Sequence, residues 1–475
     1  MEKKEKGLGA WQLTMMALGT VIGGSFFLGS AVAINAAGPS VILSFIFGGV
    51  LVYFILYALS EMTVANPDTG SFRTFASNAF GQGTGFVVGW VYWTGMVLAM
   101  SSEATAVSIL LRQWIPDISI ALLGSAIIIG ITLLNLLGAD KLSKLESGLA
   151  AVKLIAIISF VIMAILLIAG LFPGSGAVGL GELAAEPLLP GGMKSLAGSM
   201  LIVMFSYAGF EIIGLAASEA EHPKDTIPKA IRYTVISLVG LYIVSVALLL
   251  PLIPTSVLNE NTSPIVAALI ARGIGWAGDG INVVMITAIL STMLAAMFGL
   301  GRMMRSLADE GLAPGWLKDR KDVPVRGILS SGVAMLLALG FGLLFPKVYL
   351  FLISSGGFAL LFTYVVIMAT HIRFRRKNGC PPDGKCQMWG FPYTSLFVLI
   401  ALIAAILSMP FVEGQASGLA AGGVIVVFYA LSYLAMKFYK RRGKPLRRTM
   451  MEPKLSTEFS EELADTEKRD EDTHP

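Results

Sequence analysis

Uninterrupted apolar stretches of about twenty residues recur along the chain, and residues 41–60 form one of them, VILSFIFGGVLVYFILYALS. An α-helix of that length spans the hydrocarbon core of a bilayer. Hydrophobic residues make up 55% of the 475-residue chain and charged residues only 14%, too few to cover a soluble globular surface. This composition excludes a soluble enzyme, a disordered chain and a disulfide scaffold, and the unbroken stretches exclude a β-barrel. The sequence predicts a polytopic, all-α integral membrane protein.

The apolar stretches predict twelve transmembrane helices. In chain order the predicted spans are residues 12–33, 41–64, 86–110, 119–138, 148–172, 196–219, 231–253, 281–304, 327–345, 348–370, 393–411 and 418–439. Cytoplasmic loops hold Lys and Arg in excess, so the distribution of these residues predicts the orientation. With the N-terminus inside, all but five of the 35 fall in cytoplasmic segments or within three residues of the cytoplasmic end of a span. The exceptions are Arg112, Lys194, Arg272 and Lys347 outside and Lys153 within a span. Both termini are therefore predicted to be cytoplasmic.

Glycines interrupt two predicted spans, the first (MMALGTVIGGSFFLGS) and the sixth (MLIVMFSYAGFEIIGLAASEA). Unwound main chain is tolerated inside a bilayer only where it lines a protein cavity, and paired interruptions mark the substrate site of carriers built from inverted repeats. Free amides at a half-helix N-terminus suit a carboxylate, and free carbonyls at the opposing end suit an ammonium group. The predicted substrate-binding residues are Ile22, Gly23, Gly24 and Ser25, with Ser206, Tyr207, Gly209 and Phe210. The alternative is that these glycines only permit close helix packing.

Three charged residues lie inside predicted spans and more than four residues from either end, where a charge is costly and therefore a candidate for function. Lys153, early in the fifth span, is the predicted proton site or a fixed substitute for a bound cation; alternatively its long side chain extends to the interface. Glu103, in the middle of the third span, is a candidate proton relay or substrate contact, or else a structural hydrogen-bonding group. Glu211, directly after the sixth-span interruption, is either a proton-linked gate or a structural staple.

An ordered series of motifs resembles one family of membrane proteins. The motifs are ALGTVIGGSFFLGS, EMTVANPDTGSF, GWVYWTGMVLAMSSEATA, FSYAGFEIIGLAASEAEHPKDTIPKAI, RMMRSLADEGLAPGWL and THIRFRR. In this series the chain is similar to the amino acid/polyamine/organocation transporter superfamily, and within it to the bacterial and fungal amino acid permeases. The chain departs from the family pattern at Gly24-Ser25, where Thr-Gly is frequent, and at Tyr364, where Trp is common.

The resemblance implies a LeuT-like fold: two inverted repeats of five helices, with helices 1 and 6 broken, followed by two extra helices. The implied divisions are residues 1–11 as a cytoplasmic lead, 12–172 and 196–370 as the two repeats, 393–439 as the extra helices, and 440–475 as a cytoplasmic tail, basic then acidic. The resemblance also implies that Ser291 and Thr292 of the eighth span face the region of the two interruptions. They join Lys153, Glu103 and Glu211 as candidate proton-coupling residues.

The function implied by the resemblance is secondary transport of an L-amino acid across the plasma membrane of a bacterium, coupled to protons. No further acid or base is evident at the interruptions, which favours a neutral substrate. An amino acid exchanger is the alternative, and a sensor that binds without transporting is a third possibility. No P-loop pattern is present and no histidine or thiol is placed for catalysis, so neither ATP-driven transport nor an enzyme is expected.

The expected partners are the substrate, protons and membrane lipid, with no metal, cofactor or nucleic acid, and the sequence leaves the oligomeric state open. The two cysteines, Cys380 and Cys386, lie in the loop between the tenth and eleventh spans. Free reduced thiols are expected in a cytoplasmic loop, with a redox-active or metal-sensing pair as the alternative.

Overall fold

The computed structural model describes residues 8–65, 71–172, 176–215, 220–319, 323–380 and 386–442. The first half of the chain contains α1 (Ala10–Val21), α2 (Ser30–Ala37), α3 (Val41–Ala65), α4 (Ser71–Phe80), α5 (Gln82–Leu111), α6 (Ile120–Asn135), α7 (Ala139–Ile168) and α8 (Gly181–Ala185). The second half contains α9 (Gly192–Ser206), α10 (Ile212–Leu215), α11 (Pro223–Leu249), α12 (Pro264–Ala271), α13 (Gly275–Asp309), α14 (Val325–Gly342), α15 (Val348–Asn378), α16 (Tyr393–Leu407) and α17 (Gln415–Arg442). Most of the predicted tail, from residue 443 on, and residues 1–7 of the lead lie outside the described residues.

Eight helical stretches of the described chain are long and apolar enough to cross a membrane. Three further apolar helices, α6, α9 and α16, have 16, 15 and 15 residues. Each predicted span coincides with helical structure, which confirms a multi-pass helical membrane protein. The number of crossings stays a prediction.

Several helices extend beyond the apolar stretches that predicted them. Helix α11 begins at Pro223, eight residues before the predicted span at 231, and α15 continues to Asn378 rather than to 370. Proline suits the first turn of a helix because its fixed φ is already helical and its missing amide has no partner to lose there. Apolar length predicts the part of a helix that lies in hydrocarbon, whereas polar end turns can continue the hydrogen-bonding pattern in water.

Two faces of α7 differ in what they contact. The exposed face carries Ile155, Ile158, Ile162 and Ile165, and the buried face carries Lys153, Ile157, Phe160 and Ala164. Both sets repeat every three to four residues, the spacing that keeps side chains on one side of a helix. Lys153 is thus in register with the buried face, so its side chain enters the protein interior.

The first and sixth predicted spans are both interrupted. After α1 ends at Val21, residues 22–23 leave the helix, and Gly24 leads with helical backbone angles into a five-residue π-helix, Ser25–Gly29, and then α2. Helix α9 ends at Ser206, and turns lead to the short helix α10. Gly209 lies in these turns with φ of 108°, and a Cβ there would lie 3.1 Å from the carbonyl oxygen of Thr20. A side chain would therefore be strained and would crowd the other interruption.

The helices around the first interruption come from both halves of the chain. Helix α1 contacts α7, α11 and α13, and α5 contacts α13 and α15. The described residues divide into one compact unit that ends at Ala430 and a second unit, residues 431–442, formed by the last turns of α17.

The connection between α15 and α16 is tied to α3 through a buried carboxylate. Glu61 is fully buried, and its oxygens lie 2.7 Å from Nε2 of His371 and from Nη1 of Arg375. The main-chain amides of Gln387 and Met388 donate to the same carboxylate, each at 2.7 Å. One acid thus anchors a helix and a loop that are more than 300 residues away in the chain.

A disulfide joins Cys380 and Cys386 in this connection. The expectation of free thiols is therefore wrong. The two Cα atoms lie 4.9 Å apart, within the range that a disulfide requires, and sequence spacing alone does not report that distance.

Candidate functional site

The carboxylate of Glu103 binds the free amides of the first interruption. Glu103 lies in the middle of α5, and its Oε2 accepts a hydrogen bond from the nitrogen of Gly24 at 2.6 Å while Oε1 accepts from the nitrogen of Ser25 at 3.2 Å. Both amides begin the second half-helix, where the first amides have no helical carbonyl to bind. Glu103 thus reaches the first interruption from a different helix.

The close approach depends on glycine. A Cβ at position 24 would lie 2.6 Å from Oε2 of Glu103 and 3.2 Å from the Cβ of Ala106. At position 23 the added Cβ would lie 3.3 Å from Oε1 of Glu103 and 3.4 Å from the methyl group of Thr292. Gly24 is thus the tighter of the two positions, and its missing side chain is what lets a carboxylate reach the amide.

The ammonium group of Lys153 binds the carbonyl end of the first half-helix. Its Nζ donates to the carbonyl oxygen of Gly19 at 2.6 Å and to Oγ1 of Thr292 at 2.7 Å. The Thr292 hydroxyl lies 3.0 Å from the carbonyl oxygen of Ile22. Lys153 is fully buried, so its side chain does not extend to the interface. A cation here faces the negative end of α1, and Glu103 faces the positive end of the next half-helix.

Glu211 belongs to the second interruption. Its Oε2 accepts from the amide of Gly209 at 3.0 Å and from the hydroxyl of Tyr364 at 3.1 Å, while Oε1 accepts from the hydroxyl of Tyr92 at 3.1 Å. The ring of Phe210 stacks on Tyr364 with centroids 5.0 Å apart. Glu211 therefore links the broken helix to α5 and α15.

The polar side chains of the second interruption are already engaged within the protein. The Ser206 hydroxyl lies 3.1 Å from the carbonyl oxygen of Ser25, so it connects the two interruptions. The Tyr207 hydroxyl donates to the carbonyl oxygen of Phe45 at 3.0 Å. Of the predicted residues, the structure brings Ser206 to the first interruption and turns the Tyr207 hydroxyl towards α3.

Two tyrosines at the site were not predicted from the sequence. The Tyr349 hydroxyl, from α15, lies 3.3 Å from the carbonyl oxygen of Gly24. Tyr242, from α11, stacks face to face on Phe26 with centroids 3.8 Å apart, and its ring is 5.3 Å from that of Tyr207. Each tyrosine is a polar-ended ring inside an apolar stretch, a signal that could have drawn attention to it.

Two buried hydroxyls near the site have no hydrogen-bond partner among the described residues. They belong to Tyr242 and Ser291, which are fully or almost fully buried. Buried polar groups are normally hydrogen-bonded, so each unpartnered hydroxyl is available to a ligand or a water molecule. The neighbouring Thr292, by contrast, is engaged with Lys153.

These features define an integral membrane protein whose buried charges and free hydroxyls gather at two interrupted helices. Residues 12–448 match the amino acid permease family. The chain is 33% identical to the γ-aminobutyric acid permease of Bacillus subtilis, over 92% of this chain and 94% of the relative. It is 33% identical to that of Escherichia coli, over 88% and 92%, and 32% identical to the aromatic amino acid transport protein AroP of Salmonella typhimurium, over 87% and 92%.

The chain therefore belongs to the amino acid permease family, within the amino acid/polyamine/organocation superfamily. The resemblance seen in the sequence motifs is confirmed. The protein is a transporter rather than an enzyme, and its substrate class is amino acids.

Proposed function

We propose that this protein imports a neutral L-amino acid together with a proton, by alternating access in a LeuT-like arrangement of twelve transmembrane helices with both termini in the cytoplasm. The observation that carries the proposal is the contact of the Glu103 carboxylate with the amides of Gly24 and Ser25. Those amides are the groups best suited to the carboxylate of an amino acid.

Competition for the two amides would couple the proton to the substrate. While Glu103 is ionised, its carboxylate fills the anion site and repels a second carboxylate. A protonated carboxyl group is neutral and a weaker acceptor, so protonation releases the amides of Gly24 and Ser25 to the substrate. Loss of that proton on the cytoplasmic side returns Glu103 to the amides and expels the substrate. One proton then accompanies each amino acid.

Lys153 is proposed to act as the fixed cation of the first interruption. Its contacts with Gly19 and Thr292 hold the end of α1 beside α13. Its positive charge balances the negative charge of Glu103 in the state without substrate, when that carboxylate is ionised. Tyr242 and Ser291 supply free hydroxyls for further contacts. Glu211 is proposed to have a structural role at the second interruption, because its carboxylate accepts hydrogen bonds from three donors.

The test is uptake of a panel of radiolabelled L-amino acids and γ-aminobutyrate into proteoliposomes, with and without an inward proton gradient. Wild-type protein is expected to accumulate a substrate only with the gradient, and to bind it up to about tenfold more tightly for each unit fall in pH. Glu103→Gln, which cannot ionise, is expected to lose accumulation and the pH dependence of binding while retaining exchange. Glu182→Gln, a change to a partly exposed carboxylate far along the chain, is the control.

Three outcomes would overturn the proposal. Gradient-independent uptake that requires an internal amino acid would make the protein an exchanger, and binding without uptake would make it a sensor. Accumulation by Glu103→Gln at the wild-type level would show that Glu103 does not couple the proton to the substrate.

A further inference from the structure

A cavity of about 300 Å³ lies where α2 ends and where α9, α15 and α17 begin. The polar residues of its lining are Asn35, Ser195, Asn259, Glu260, Lys347 and Glu413. Leu350 and Phe411 are among the residues that contribute apolar surface. The volume is at the lower end of the range for small-molecule sites. Lys347 is among the few basic residues that the sequence places outside the cell, so the cavity belongs to the predicted external face.

The charges in the cavity match both ends of a zwitterion. Nζ of Lys347 lies 3.8 Å from Oε1 of Glu260 and 3.7 Å from Oε1 of Glu413, both longer than a charge-assisted hydrogen bond. Glu260 is the more enclosed acid, with 19% of its side chain exposed against 93% for Glu413. A bound amino acid could place its carboxylate on Lys347 and its ammonium group on Glu260. Two close ion pairs with the substrate would then replace the long contact between Lys347 and Glu260.

The cavity is separate from the central site. Val32, in its wall, is seven residues beyond Ser25, or about 10 Å along a helix. Between them the helix packs tightly, because a Cβ at Gly29 would lie 3.0 Å from Cδ1 of Ile353 and 3.1 Å from the hydroxyl of Tyr349. The packing of Gly29 against Ile353 and Tyr349 therefore separates a molecule in the cavity from the central site.

Tyr349, which packs against Gly29, lies between the cavity and the central site. It follows Lys347 by two residues, and its hydroxyl lies 3.3 Å from the carbonyl oxygen of Gly24. Separation of α15 from the interrupted helix would therefore open a path from the Lys347 side to the central amides.

We propose that this cavity is a second amino acid site, which captures the zwitterion through Lys347 and Glu260 before the central site opens. The inference rests on the proposed import of an amino acid and on the predicted orientation. Two acids and one base line the cavity, so a substrate with net negative charge is disfavoured there.

The first test counts binding sites in purified protein, with the radiolabelled amino acid that gives the highest wild-type uptake. Wild-type protein is expected to bind two molecules per chain, with the cavity as the weaker site. Lys347→Gln is expected to lose the weaker site and keep the central one. Gly24→Ala is expected to weaken the central site by about tenfold or more and keep the cavity site. The double variant is expected to show both effects. Arg112→Gln, which removes a positive charge from the same predicted face outside the cavity, is expected to retain both sites.

Transport supplies a second readout. Lys347→Gln is expected to lower kcat/KM on the order of tenfold by raising KM, with kcat unchanged, and Lys347→Arg is expected to restore it because the charge remains. Wild-type protein that takes up no member of the panel overturns the proposed function. Wild-type protein that transports but binds one molecule per chain, with an unchanged kcat/KM in Lys347→Gln, overturns the capture site alone.

Discussion

The carboxylate of Glu103 lies 2.6 Å from the main-chain nitrogen of Gly24, although 79 residues separate the two in the chain. On the other side of the same interruption, the ammonium group of Lys153 lies 2.6 Å from the carbonyl oxygen of Gly19. The break in the first helix is therefore held between a buried anion and a buried cation. The groups that would bind the two ends of an amino acid are already satisfied by side chains, so substrate binding has to displace at least one of them.

Gly24→Ala is expected to weaken substrate binding by about tenfold or more, because loss of a hydrogen bond to a charged group costs about 1.5–3 kcal/mol. The added Cβ would lie 2.6 Å from Oε2 of Glu103, in the space that any carboxylate on this amide must use. Equilibrium binding of the radiolabelled substrate measures the effect. Gly299→Ala, where the added Cβ meets no atom within 4 Å, is the control. Wild-type affinity in Gly24→Ala would contradict the assignment of this amide.

Lys153→Ala is expected to abolish proton-driven accumulation while substrate binding persists. The change removes the charged donor from the Gly19 carbonyl and from Thr292, so the melting temperature should fall as well, since hydrogen bonds of a charged group contribute about 1.5–3 kcal/mol each. Proteoliposome uptake and thermal unfolding in detergent measure the two effects. The exposed Lys229→Ala should change neither. Full accumulation by Lys153→Ala would exclude a coupling role.

Tyr242→Phe is expected to reduce substrate affinity by about three- to tenfold without lowering the melting temperature, since a typical hydrogen bond contributes about 0.5–1.5 kcal/mol. The removed hydroxyl has no partner among the described residues, so the folded protein loses no hydrogen bond there. Tyr364→Phe is the informative comparison, because its hydroxyl binds Glu211 and its loss should lower the melting temperature. An unchanged affinity in Tyr242→Phe would show that the substrate does not use this hydroxyl.

Arg375→Ala is expected to destabilise the protein by about 3–5 kcal/mol, the usual cost of leaving a buried charge without its partner. Glu61 would keep its buried carboxylate and lose the nearest fixed cation. Thermal unfolding measures the loss, and KM should stay at the wild-type value because the cluster lies outside the candidate site. The neighbouring Arg376 is exposed, so Arg376→Ala should leave the stability unchanged. Equal stability of the two variants would contradict the anchoring role of Glu61.

The sequence predicted the membrane helices and the two interruptions because both depend on local properties. An apolar stretch long enough to cross the bilayer is visible without any knowledge of its neighbours. Glycines mark the places where a helix can unwind and other chain segments can approach, so the breaks at residues 22–23 and after Ser206 lie inside the regions predicted for them. Lys153, Glu103 and Glu211 were identified for a similarly local reason, since a charge inside a span is unusual wherever it points.

The tertiary structure decided which of these groups meet. Helix α5 is apolar on every side, so its sequence did not indicate whether Glu103 faces lipid or the first interruption. The contact of Lys153 with Thr292 joins residues 139 apart, and the carboxylate of Glu61 binds the amide of Met388 from 327 residues away. The disulfide between Cys380 and Cys386 requires a short distance in space that their spacing in the chain does not report. Local sequence determines where a helix forms and what it can tolerate. The packing of distant helices determines which polar groups are left to share one buried site, because only the folded chain brings them within hydrogen-bonding distance.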